Sequence, residues 1–180
     1  MDPFEIIKKY YKVESMAYRI LVNHSKAVTE KALTVAEKFD VDKKFIYEAA
    51  MLHDIGIFMT KTPKFDCHGN FPYICHGYLG REILEKEGFP IHALVCERHT
   101  GVGITKEEII KNNLPLPRRD MIPLSMEEKI IAFADKFFSK ESDGSVRVRT
   151  VYEIINDLAR YGEEKVKIFK EWLKLFEGTT

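Results

Sequence analysis

Three segments of this 180-residue chain carry ionisable side chains where helical periodicity calls for apolar ones. His24 lies four residues before Val28, on a stripe continued by Ala32, Ala36 and Phe39. His53 follows Ala49 by four residues and Ala50 by three, with Asp54 directly after it. Asp135 follows Ile131 by four residues and precedes Phe138 by three, among Phe133, Ala134 and Phe137. A carboxylate buried on such a face is costly unless it is paired or bound to a cation. Taken singly, each residue has a plain explanation: a hydrogen-bonded core histidine, or an aspartate paired with a nearby arginine. Jointly they point elsewhere, because imidazole and carboxylate on the inward faces of three helices can converge on one hard or borderline cation.

The elements that must bring them together read as helices. Periodicity predicts a short helix over 3–12 after Asp2, with Pro3 in its first turn, then helices over 15–39 and 42–55, with Gly56 as a stop. Residues 57–74 lack a period and carry two prolines, reading as a lid or substrate-facing loop. Helices follow over 76–87, 90–98 and 105–112, then a Pro-rich connection. Ser125 and Glu128 match a capping box opening a helix to about Lys140, and helices over 149–160 and 162–177 close the chain. The expected fold is an all-α, single-domain bundle of roughly eight or nine helices, with no segment sustaining strand alternation.

Bulk properties narrow the partners. The 28 basic and 28 acidic residues cancel, so no global field draws the chain to nucleic acid polymers or anionic membranes. No apolar run approaches a membrane span and the first fourteen residues lack a secretion signal, so the expected compartment is the cytoplasm. Three cysteines, Cys67, Cys75 and Cys96, argue against a disulfide framework. Cys67-His68 and Cys75-His76 offer a rival thiolate–imidazole zinc site, but without a tight Cys pair. His68 and His92 read as surface residues.

The order His24, then His53-Asp54-Ile55-Gly56, then Asp135 resembles the HD superfamily of metal-dependent phosphohydrolases, over about residues 20–140. By that resemblance His24, His53, Asp54 and Asp135 would hold one divalent metal. His76 opens HGYLG and His99 closes ERH before a glycine-rich turn; in binuclear HD subgroups histidines in similar positions hold a second ion, with Asp54 as the bridge. The chain looks similar to small archaeal HDIG proteins in its RHTGVGI turn and its SMEEKI helix leading to Asp135. The resemblance implies two ions, of iron, manganese or zinc, acting on a small phosphorylated substrate of nucleotide type. Water activated by the ions would be the nucleophile, so no Ser or Cys is required.

Cationic help for the phosphate is expected from Lys136, next to Asp135, and from Lys61 in the 57–74 loop, so that Asp54, Lys136 and Lys61 form the catalytic expectation. Many binuclear members carry lysine directly after HDIG, whereas this chain has Ile57, which suggests a different substrate orientation or a phosphate contact supplied from the 57–74 lid. No GYP tripeptide is present, which sets aside the cyclic-di-GMP phosphodiesterase subgroup. Two other classes fit nearly the same ligands: a di-iron oxygenase of HD fold, and a non-catalytic nucleotide-binding domain. The apolar face of 162–177 would serve either the core or a homodimer, and the core is the favoured reading.

Overall fold

The first three helices each begin at a residue whose side chain caps them. The computed structural model describes residues 1–178. Asp2, Ser15 and Asp42 accept hydrogen bonds from the exposed amides of α1 (Pro3–Tyr10), α2 (Met16–Ala36) and α3 (Lys43–Leu52). Then come α4 (His76–Lys86), α5 (Pro90–Arg98), α6 (Lys106–Lys111) and α7 (Met126–Asp135), and finally α8 (Val151–Ala159) and α9 (Glu163–Glu177). Thr105 with Glu108 and Thr150 with Glu153 form complete capping boxes at α6 and α8. The box expected at Ser125 is only half formed: Ser125 accepts from the Glu128 amide, but the Glu128 carboxylate accepts from Leu124, one residue earlier.

The all-α expectation holds, with two local corrections. The 57–74 segment is ordered into short 3-10 turns and a two-residue antiparallel pair, β1 (Lys61–Thr62) and β2 (Cys67–His68). The helix expected to reach Lys140 ends at Asp135, and Phe138–Lys140 (β3) pairs antiparallel with Val146–Val148 (β4). The turn between them is set by Gly144, at φ 83°, and by the Asp143 carboxylate accepting from the Ser145 amide at 2.8 Å. Asn23 on α2 donates to the Gly144 carbonyl at 2.7 Å and ties the hairpin to the helix that carries His24.

Two apolar cores flank α2 and α3. One, with Ile7, Leu21, Leu52, Ile55 and Leu84, joins α1 to α4 and α5. The other is built from α2, α3 and α7, and the C-terminal helices close it. Phe133 of α7 stacks on Phe169 at 5.7 Å and meets Phe176 at 5.1 Å, all three fully buried. The apolar face of α9 therefore belongs to this core, as favoured above.

Gly56 has a reason different from the helix stop expected of it. A Cβ built on Gly56 would lie 2.2 Å from the His76 carbonyl and 2.5 Å from the Gly80 amide nitrogen, so the glycine lets the segment after Asp54 press against the backbone of α4. Gly77 similarly lies against the Cys96 carbonyl of α5, where a Cβ would come within 2.8 Å. Small residues thus bring three ligand-bearing segments to backbone contact. Replacing Gly56 by alanine is expected to destabilise the fold by about 1–3 kcal/mol through overpacking. Urea denaturation reads this, and an unchanged midpoint would show that the contact is not needed.

Candidate metal centre

Five of the six ligand candidates stand at or beside helix ends, where the chain changes direction and side chains from separate helices meet. His53 is the residue after α3, Asp54 follows it, His76 opens α4, His99 follows α5 and Asp135 ends α7. His24 alone comes from mid-helix, on the buried face of α2.

Asp54 lies between two sets of histidines, and its two oxygens divide them. Oδ2 is 3.4 Å from Nε2 of both His24 and His53. Oδ1 is 3.2 Å from His76 Nε2 and 3.4 Å from His99 Nε2. Asp135 completes the first set, its Oδ1 2.9 Å from His24 and 3.4 Å from His53. Two groups of ligand atoms result, each within 4.8 Å of one another: His24, His53, Asp54 and Asp135, and Asp54, His76 and His99. The structure thus brings all six ligand candidates together, with Asp54 in both groups.

Three of the histidines are oriented by the backbone. Nδ1 of His53, His76 and His99 lies 2.7, 2.6 and 2.7 Å from the carbonyls of Ala50, Tyr73 and Cys96. A carbonyl can only accept, so each Nδ1 carries a proton and each ring turns its Nε2 toward Asp54. Metal-binding histidines are commonly oriented through the same kind of outer contact. His24 is the exception, since its Nδ1 finds no partner.

The donors fit a cation. His53 Nε2 and both Asp54 oxygens are buried without a hydrogen-bond partner, an arrangement that is expensive unless something else satisfies it. The Nε2 atoms of His76 and His99 are 3.1 Å apart, so two lone pairs face one another unless a proton or cation lies between them. Imidazole and carboxylate donors suit manganese, iron or zinc. The cysteine alternative fails on position: Cys67 and Cys75 are buried, their thiols donate to the carbonyls of Phe65 and Pro115, and neither joins a ligand group among the described residues.

The electrostatics follow from burial and from two lysines. Burial alone would raise the Asp54 carboxyl, but the Lys140 ammonium and His53 hold it well below the usual carboxylate range. Asp135 is likewise held low against burial, chiefly by Lys136 at 2.8 Å. Burial depresses His24 and His99 to about 4. Burial opposes charge on His53 too, yet Asp54 and Asp135 carry it up to about 9.

Lys140 is the functional candidate that sequence reasoning missed. It ends β3, its side chain is buried, and its Nζ lies 2.5 Å from Asp54 Oδ2, an ion pair rather than a well-directed hydrogen bond. It also donates to the Tyr73 hydroxyl at 3.3 Å, and the Tyr73 ring stacks on His76 at 4.7 Å. The detectable signal was Asp143-Gly144 between short apolar segments, a hairpin turn. Of the expected lysines, Lys136 touches Asp135, whereas Lys61 is exposed on β1 with no ion-pair partner among the described residues. Arg98 and Arg119 are held by the buried Glu128 and Glu97. His68 is exposed as expected, but His92 is largely buried, its Nε2 3.0 Å from the buried Glu48.

A cleft of about 570 Å³ opens beside the cluster, with Tyr73, His76 and Lys136 among its lining residues. That volume falls in the range of small-molecule sites.

A model of the HD domain matches residues 21–139, well over half of the chain. The chain is 42% identical over 121 residues to an uncharacterized protein, MJ0778, of Methanocaldococcus jannaschii, covering 64% of each. It is 37% and 32% identical to segments of proteins named tRNA (cytidine(56)-2'-O)-methyltransferase from Picrophilus torridus and Thermoplasma volcanium. Those alignments cover 68% and 86% of this chain but only 32% and 40% of the relatives' own lengths. Among solved structures, the HD domain of the phosphodiesterase PgpH from L. monocytogenes, in complex with cyclic-di-AMP, superposes with a TM-score of 0.52 at 20% identity, covering 94% of this chain and 93% of that one. At that identity the likeness concerns the fold. The His53-Asp54 pair, the ligands flanking it and the helices presenting them all fall within or beside the matched region, and the chain belongs to the HD domain family.

Proposed function

We propose that this protein is a metal-dependent hydrolase that cleaves a phosphoester or phosphoanhydride bond of a small, nucleotide-like molecule. The observation that carries the reading is the division of Asp54 between two ligand groups, which supports two neighbouring cation positions sharing one carboxylate. Divalent ions held there would supply Lewis acidity toward phosphoryl oxygens and a water acidic enough to attack at neutral pH.

The chain's own residues divide the remaining work. His53, His76 and His99 are fixed by backbone carbonyls, so their donor atoms are in place before substrate arrives. Lys136 and Lys140 bring positive charge to the two carboxylates, where the phosphoryl group would gather negative charge. Lys140 thus takes the part expected of a lysine at position 57, arriving from a β-hairpin instead. Tyr73 stands between Lys140 and the cleft and can hand a hydrogen bond from one to the other. We assign no role to Lys61. The fold shared with a phosphodiesterase supports the reaction class. The tRNA methyltransferase names belong to much longer chains, and the residues of this centre offer metal ligation rather than methyl transfer.

Elemental analysis of anaerobically purified protein should find about two equivalents of iron, manganese or zinc, lost in Asp54→Ala. Activity on bis(p-nitrophenyl) phosphate should disappear with the metal. Absence of metal after reconstitution, or turnover that requires O₂ and a mixed-valence iron signal, would overturn the hydrolase reading.

Metal uptake should depend on pH through His53. Its pKa in the metal-free protein is raised to about 9, so near neutrality it holds a proton that must leave before Nε2 can bind. Affinity for Mn²⁺ should therefore rise with pH, by up to tenfold per unit between 7 and 9, and level off above. Calorimetric titrations at several pH values would show this, and a flat profile would exclude His53 as the protonated ligand.

Lys140→Met should lower kcat/KM by about 10²-fold with metal content retained, and Lys140→Arg should restore part of the loss. Full activity in Lys140→Met would remove Lys140 from the mechanism.

A further inference from the structure

The cleft beside the metal centre is not closed by the HD segment alone. Its floor carries His76, which is buried, and Lys136. Its opposite wall comes from α8, α9 and the corner between them, all beyond the residues 21–139 that match the family. Two side chains at this corner lack a structural task. Tyr161 is 70% exposed although it is a large aromatic. Arg160 is exposed and makes no ion pair among the described residues, whereas the other cations on this wall are engaged, Arg149 with Asp157 at 3.1 Å and Lys165 with Glu108 at 2.7 Å. Gly162 follows at φ 123°, ψ 155°, a conformation that favours glycine, and so defines the corner that carries both. Between floor and rim the cleft is apolar, with Ile104 and Leu158 among its walls.

We propose that Tyr161 and Arg160 form the specificity-determining rim of this cleft, reading the part of the substrate remote from the metals. The ring of Tyr161 stacks on the base, and the Arg160 guanidinium takes an anionic group other than the one at the metal centre. The substrate class that satisfies floor, walls and rim is a nucleotide with more than one phosphoryl group. A simple phosphomonoester would leave the rim unused. The inference rests on the hydrolase reading for the identity of the floor, but assigns recognition to residues outside the family segment. Exposed arginines are usually just solvated; here the unpaired guanidinium sits beside an unpacked aromatic on a cleft that leads to the centre.

The test separates binding from turnover. Calorimetry with α,β-methylene-ADP, whose P–C–P link resists hydrolysis, is run on metal-loaded wild type, Tyr161→Ala and Arg160→Ala. Hydrolysis of bis(p-nitrophenyl) phosphate is followed on the same samples. Each variant should weaken analogue binding about tenfold, the size of a lost base-stacking or charge contact. The melting temperature and metal content should stay as in wild type. Equal binding by all three proteins, or no binding by wild type, overturns the rim assignment even if the phosphodiester is cleaved. Weakened binding without any phosphodiester cleavage in wild type sustains the rim and overturns the hydrolase reading. A loss of melting temperature or metal in the variants would make Tyr161 and Arg160 structural and also overturn the assignment.

Discussion

A single carboxylate at the centre of the molecule sets the terms for everything around it. The Asp54 side chain is 1% exposed, deep among apolar helices, and both its oxygens face imidazole nitrogens. Such a charge persists only where the surroundings are arranged to receive it. The ends of α3, α4, α5 and α7 meet here, three imidazoles are aligned by backbone carbonyls, and two lysines approach from the C-terminal side of α7. The apolar cores on either side hold these ends in register, and glycines at 56, 77 and 80 let them approach more closely than side chains would permit.

Much of this was readable in the residues because burial and ionisation conflict. His24, His53 and Asp135 stood out as polar positions on apolar stripes, and the structure places all three in the core or at its edge. The helix boundaries were close for the same reason, since Asp2, Ser15 and Asp42 are strong caps ahead of periodic segments. His76 and His99 had no such signal. They lie at a helix start and just past a helix end, where periodicity says nothing about direction, and only the resemblance singled them out.

What escaped reading has physical reasons too. Phe137 and Phe138 prolong the apolar pattern of α7, so a helix running on to Lys140 looked natural; instead the chain leaves helical geometry after Lys136 and folds back through β3 and β4. Three-residue strands are too short to display alternation, so Lys140 was lost with them. The two-residue strands in the 57–74 segment escaped for the same reason. A loop beside a site can reach into it, but β1 turns Lys61 toward solvent. His92 lies near the start of α5, a position that suggests the surface, and its partner Glu48, 44 residues away, is not signalled by the local sequence.

The placement of the ligands along the chain has a consequence for folding itself. His24 and Asp135 are 111 residues apart, and the other ligands are spread between them. An ion gripping both ends would fasten together segments from far apart in the chain and, unlike a disulfide, would do so only once the domain has folded. Since the intact set of donors exists only in the folded state, the centre would double as a clasp, making resistance to unfolding depend on the concentration of free metal.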